Sequence, residues 1–189
     1  MSHKNQHIAL LIIDVQVGFT IRDQSGDARS MPNAEEHIAK LLNFFRTNNL
    51  PICHVNHLST EEGSVFTPNT PGAAVQPFAA ALDSEKIYVK NVNSAFIGTN
   101  LHEDLQAAKI DTLVICGATA NHCVETSTRM AGNLGYKVFY VSDAVWAYGA
   151  TGPDGNYHTA EQVHSMTLAN MQDEFAEVAL TQDVIEELS

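Results

Sequence analysis

Apolar residues along this chain fall into two patterns: short, nearly continuous runs, and longer stretches in which they return every three or four positions. The runs Ile8–Ile13, Pro51–Asn56, Lys86–Val89, Thr112–Cys116, Lys137–Val141 and Glu177–Leu180 are rich in β-branched and aromatic residues and predict strands. They barely alternate with polar residues, as expected of strands covered by helices on both faces, so the chain reads as βαβ units building a parallel sheet. Asn33 and Glu36 form an N-x-x-E capping pattern ahead of Ile38, Leu41, Leu42 and Phe45, which predicts an amphipathic helix. Thr99 can cap a helix running to about Ala108, and another is expected from near Asn121 to Gly135, where glycine tolerates a left-handed helix end. A helix over about Ala160–Glu174 carries Val163, Met166, Met171 and Phe175, and Thr181–Leu188 reads as a final short one. Leu58–Pro77 and Tyr148–His158 break this rhythm with Gly, Pro, Ser and Thr, and segments of that kind often enclose a substrate.

A length of 189 residues suffices for one core of good size, and a single domain over residues 1–189 is expected. The formal net charge of -12 leaves no basic stripe for phosphates, which argues against nucleic-acid or anionic-membrane partners. Ile8–Ile13 is too short to span a bilayer, and no basic stretch with a small-residue cleavage site surrounds it. Three cysteines do not suggest a disulfide framework, so a reducing, cytoplasmic location is expected and each thiol needs its own explanation.

In an open parallel sheet, ligands bind beyond the carboxyl ends of the strands, where strand order reverses. Asp14 leaves the first predicted strand, Lys90 the third, and the fourth leads through Gly117-Ala118-Thr119-Ala120-Asn121-His122 to Cys123. Alone, a strand-end Asp caps turns, a strand-end Lys is usually solvated, and a cysteine is usually a small buried hydrophobe, the reading that fits Cys53 and Cys116. Cys123 differs because it falls at a helix start, where unpaired N–H groups and nearby Lys90 are expected to lower its pKa. His54 and His57 form an H-x-x-H on a strand, which projects them to opposite faces and makes poor metal geometry. His158 and His164 flank a helix start and read as surface or packing residues. Neither G-x-G-x-x-G nor G-x-S-x-G occurs, which leaves the dinucleotide-binding and serine-hydrolase readings without their motifs.

Three segments carry a family resemblance: Leu10–Phe19 (LLIIDVQVGF), Lys90–Thr99 (KNVNSAFIGT) and Cys116–Val124 (CGATANHCV). With Gly135–Ala144 (GYKVFYVSDA), they resemble the isochorismatase-like cysteine hydrolases over nearly the whole chain, and look nearest to the streptothricin-hydrolase-like branch. The resemblance implies a three-layer αβα, Rossmann-like α/β fold with a six-stranded parallel sheet, and a homodimer or homotetramer. It casts Cys123 as nucleophile, Asp14 as general base and Lys90 as third member of the triad. It also implies a cis peptide at Ala118–Thr119, with the backbone amides of Thr119 and Cys123 as oxyanion hole. Two departures stand out. Ala120 occupies a position where many members have threonine. The stretch His54-Val55-Asn56-His57 lacks the aspartate with which nicotinamidases of the superfamily bind a metal, so no metal or other cofactor is expected. Members that cleave the isochorismate vinyl ether lack the cysteine, so Cys123 points away from that reaction.

The expected activity is hydrolysis of a C–N bond (amide, lactam or carbamoyl) in a small molecule, through a thioester on Cys123. Phe19, Phe66, Trp146 and Tyr148 are candidates for the pocket wall, and Gln16, His57 and Asn93 for its polar contacts. Against this stand a catalytically silent small-molecule binder or scaffold on the same fold, and a redox-sensor thiol, which would lack a C-x-x-C partner.

Overall fold

A computed structural model describes residues 7–189. Six strands, β1 (Ile8–Ile13), β2 (Ile52–His57), β3 (Lys86–Lys90), β4 (Thr112–Ala118), β5 (Lys137–Trp146) and β8 (Glu177–Ala179), form one parallel sheet in the order β3-β2-β1-β4-β5-β8. The order runs outward from β1 in one direction and from β4 in the other, so the reversal lies between those two neighbours.

β1 shows why its run is continuous. All six of its residues are buried, Ile8, Leu10 and Ile12 in the core on one face and Ala9, Leu11 and Ile13 in the core on the other. The first face is covered by α1 (Val17–Gln24), α2 (Ala34–Thr47) and α6 (Thr181–Leu188), the second by α3 (Leu101–Ala107), α4 (Glu125–Asn133) and α5 (Ala160–Met171). That is the three-layer arrangement expected from the sequence. Among the described residues no helix is long and apolar enough to cross a membrane.

The differences from expectation are local. α2 has its buried stripe of Ile38, Leu41, Leu42 and Phe45, but Asn33 makes no side-chain cap, and only its carbonyl receives the Glu36 N–H, at 3.0 Å. The complete capping box is at α5, where Thr159 Oγ1 accepts from Gln162 N and Gln162 Oε1 from Thr159 N. α1 was not foreseen: of its eight residues only Gly18 is fully buried, so it carries no apolar stripe to read. Residues 58–79 are irregular apart from single 3-10 turns at Pro71–Ala73 and Pro77–Ala79. The Gly-rich stretch forms a small hairpin of β6 (Ala150–Thr151) and β7 (Tyr157–His158). Its His158 is exposed, whereas His164 on α5 is buried and bonded to the Ser30 hydroxyl at 2.8 Å. Cys53 and Cys116 lie buried in β2 and β4, and burial pushes both thiols up.

Candidate active site

Asp14 follows β1 directly and bends the chain at φ 52°, a left-handed conformation that aspartate tolerates better than most residues. Its amide donates to Val55 O of β2 at 2.8 Å. Lys90 is the last residue of edge strand β3, in register with His57 of β2. Its side chain is fully buried and spans past β2, where Nζ donates to Asp14 Oδ2 at 2.7 Å and lies 3.3 Å from His57 Nδ1. The other carboxylate oxygen, Asp14 Oδ1, is buried with no hydrogen-bond partner of standard geometry. The thiol that reaches this carboxylate is that of Cys123.

Cys123 is delivered from β4. Gly117 has φ 120°, and a Cβ there would sit 2.0 Å from Ile13 O, so only glycine lets β4 pass this close to the strand that carries Asp14. The Ala118–Thr119 peptide is cis, and Ala120–Val124 then form a π-helical turn leading into α4. Thr119 O accepts from His122 N and Val124 N at 3.1 and 3.3 Å, and Tyr140 of β5 pins the turn by donating to Ala120 O at 3.1 Å. The Cys123 side chain interacts with Asp14 and Lys90 alike, and its Sγ lies 3.9 Å from Asn93 Oδ1.

Burial raises the Asp14 pKa, against the pull of Lys90 in the other direction. Burial and the Asp14 charge push the Cys123 thiol up to about 12, again with Lys90 opposing. This corrects the expectation of a lowered thiol pKa. Cys123 sits in a five-residue π turn rather than the first turn of a regular helix, and desolvation beside a carboxylate outweighs the nearby positive charges. The resting form is therefore the thiol, and alkylation well below pH 8 is no longer its expected signature. Burial first, and then Lys90, lower the His57 pKa, leaving a neutral ring beside the ammonium.

Cys123 and Asp14 open onto a cavity of about 350 Å³. Of the residues expected in its wall, Phe19, His57, Phe66 and Asn93 line it. Gln16, Trp146 and Tyr148 do not. Gln16 is buried and clamps the backbone beneath, accepting from His57 N at 2.8 Å and donating to His57 O and Ala73 O at 2.9 Å each. Trp146 is core, edge-on to Phe19 with ring centroids 5.7 Å apart. Tyr148 donates to Asp23 Oδ1 at 2.7 Å and carries the Arg22 guanidinium over its ring. All three thus support residues that do line the cavity.

Arg22, Glu61 and His122 also line it and were not singled out from the sequence. His122 stands next to Cys123, and Arg22 lies one helical turn beyond Phe19, a signal readable only once α1 is known to be a helix. His54 Nε2 donates to Glu85 Oε2 at 2.8 Å while His57 faces Lys90, so the pair does not converge. Among the described residues no group of three or more His, Cys, Asp or Glu is placed to hold a metal ion.

Residues 8–183 match the model of the isochorismatase domain. The chain belongs to the isochorismatase family. Among isochorismatase-family relatives, YrdC of Bacillus subtilis is 40% identical over 177 residues, covering 94% of each chain. A solved isochorismatase-family structure from Chromobacterium violaceum superposes with a TM-score of 0.93 at 35% identity, covering 100% of this chain and 96% of that one. A cysteine hydrolase from Pseudomonas syringae gives 0.89 at 25% identity, covering 98% and 93%. More distant family hydrolases include streptothricin hydrolase of Streptomyces noursei, 31% identical over 74% of this chain and 50% of its own length. Maleamate amidohydrolase of Pseudomonas putida is 26% identical over 95% and 86%. The protein is thus an isochorismatase-family hydrolase, and the family includes amidases by name.

Proposed function

We propose that this isochorismatase-family protein is a cysteine-dependent hydrolase that cleaves a C–N bond of a small amide, lactam or carbamoyl compound through a thioester. The observation that carries this reading is the buried carboxylate of Asp14. The carboxylate accepts from Lys90 at 2.7 Å and also meets the Cys123 thiol, which opens onto a cavity. A carboxylate with no catalytic task has little reason to be held buried between an ammonium and a thiol, because burying charge is costly. The cysteine hydrolase and the amidohydrolase among its relatives support the same reading.

The chemistry follows from the proton positions. With its pKa raised to about 12, Cys123 attacks as its proton passes to Asp14, whose own raised pKa suits it to accept that proton and give it back. The sulfur bonds to the carbonyl carbon, and the oxygen becomes an anion held by the backbone amides of Thr119 and Cys123. The C–N bond breaks as the nitrogen takes the proton from Asp14 and leaves as ammonia or amine. Water then attacks the thioester, Asp14 removes its proton, the C–S bond breaks, and the proton returns to sulfur. Lys90 keeps Asp14 oriented and anionic between proton transfers.

A panel of small amides, lactams, ureides and carbamoyl compounds, assayed for released ammonia or amine, tests the proposal. Release matched by an equal yield of acid product is expected from at least one class. Ligand binding with no C–N cleavage across the panel would instead favour a silent binding module.

A further inference from the structure

The Lys90 ammonium has to be aimed as well as charged. It carries three N–H donors and no acceptor, and its side chain is fully buried, so each donor needs a partner inside the protein. Asp14 Oδ2 accepts one at 2.7 Å, and the Cys123 thiol is a second group that the ammonium meets. The third is His57 Nδ1, 3.3 Å from Nζ. Because an ammonium only donates, Nδ1 has to present its lone pair, and the neutral ring then carries its proton on Nε2.

His57 is itself held at several points. Gln16 engages both its backbone N–H and its carbonyl, at 2.8 and 2.9 Å. A hydrogen bond to the Val92 backbone ties down the ring, and Phe66 stands edge-on to it with centroids 6.1 Å apart. Three charges act on the ring, those of Lys90, Asp14 and Glu61. Burial and the ammonium outweigh the two carboxylates and keep it neutral.

We propose that His57 is a positioning residue, which fixes the Lys90 ammonium against Asp14 by accepting one of its N–H groups through Nδ1. Without that acceptor a buried N–H is left unmatched, and the ammonium is free to turn away from the carboxylate. Both ring nitrogens are then engaged within the protein, and the part of His57 that lines the cavity offers substrate a flat carbon face rather than a polar contact. The effect of His57 on rate rests on the hydrolase reading; its bond to Lys90 does not.

Two variants separate an acceptor from a space-filler. His57→Phe keeps a flat ring and loses the acceptor, whereas His57→Asn loses bulk and keeps an acceptor near the Nδ1 position. The Asp14 carboxyl midpoint, read by 13C NMR without substrate, should rise in His57→Phe, because the ammonium that lowers it is less well placed. It should return towards the wild-type value in His57→Asn. In turnover, His57→Phe should lower kcat by about 10- to 100-fold with KM little changed, as loss of one hydrogen bond to a charged group implies, and His57→Asn should recover most of it. A raised KM with kcat and the Asp14 midpoint unchanged would overturn the proposal and make His57 a substrate contact; so would Phe outperforming Asn, the order that packing alone predicts. The ring tautomer is read on the wild-type protein by 15N NMR at neutral pH, the His57 signals being identified by their loss in His57→Asn. A proton on Nε2 is expected, and a proton on Nδ1 would overturn the proposal whether or not any amide is cleaved. The expected tautomer and Asp14 shift with no C–N cleavage from any substrate would uphold the bond to Lys90 and count against the hydrolase reading.

Discussion

Replacing Cys123 with alanine is expected to lower kcat for the best C–N substrate by about 10,000-fold or more, and adding Asp14→Asn should cost almost nothing further. Groups that act as one unit behave this way, because each is useless once the other is gone. Asp14→Asn alone should fall by about 100- to 10,000-fold, the range of a lost general base. Asparagine is nearly isosteric and also tolerates the left-handed backbone at this position, so the fold should survive. In the proposed mechanism, the wild-type activity needs Asp14 as carboxylate. Because burial raises its pKa from the ordinary 3.8, activity should disappear as pH falls through a midpoint above that value. Steady-state rates of the three variants, with far-UV circular dichroism as a check on folding, measure all of this. Additive losses in the double variant would mean that the two residues do not share a proton.

The second large effect is on Lys90. Its fully buried side chain neutralises a buried carboxylate, and Lys90→Met leaves that charge without a partner. Breaking one side of a buried pair costs about 3–5 kcal/mol. The cost depends on pH in a defined direction. With the ammonium gone, the pull that lowers the Asp14 pKa is gone too, so its folded-state pKa rises further. A carboxylate whose pKa is raised by folding favours the folded state below its unfolded value and loses that contribution as pH climbs through the folded value. The deficit of Lys90→Met relative to wild type should therefore be larger at pH 8 than at pH 5, as measured by urea unfolding. Any residual activity should show its acid limb shifted to higher pH. A deficit independent of pH would mean that Lys90 contributes packing alone.

Much of the fold was legible because its signals are local. The run Ile8–Ile13 needs both faces covered, and the stripe from Ile38 to Phe45 needs one. The convergence of Asp14, Lys90 and Cys123 was legible for a topological reason: Asp14 follows β1, Lys90 ends β3 and β4 leads to Cys123, all on the same rim of a parallel sheet. What escaped depends on three-dimensional packing. α1 has too little apolar periodicity to announce itself, and with it went Arg22. Trp146 and Tyr148 are aromatic and near the site, but sequence cannot tell a wall from the residue behind it; Trp146 backs Phe19 and Tyr148 carries Arg22. Gln16 was placed in the pocket because it is polar and close to Asp14, yet its amide serves as a substitute backbone for β2. The direction of the Cys123 shift was misjudged because burial depends on what packs around the thiol, which helix position does not reveal.

The most direct measurement is the mass of the peptide carrying Cys123 after acid quench during a single turnover of the best substrate. The account predicts that this peptide gains the acyl portion of the substrate, without its nitrogen, and that the gain decays as product acid accumulates. Product forming while residue 123 stays unmodified at every time point would contradict the central role assigned to this thiol.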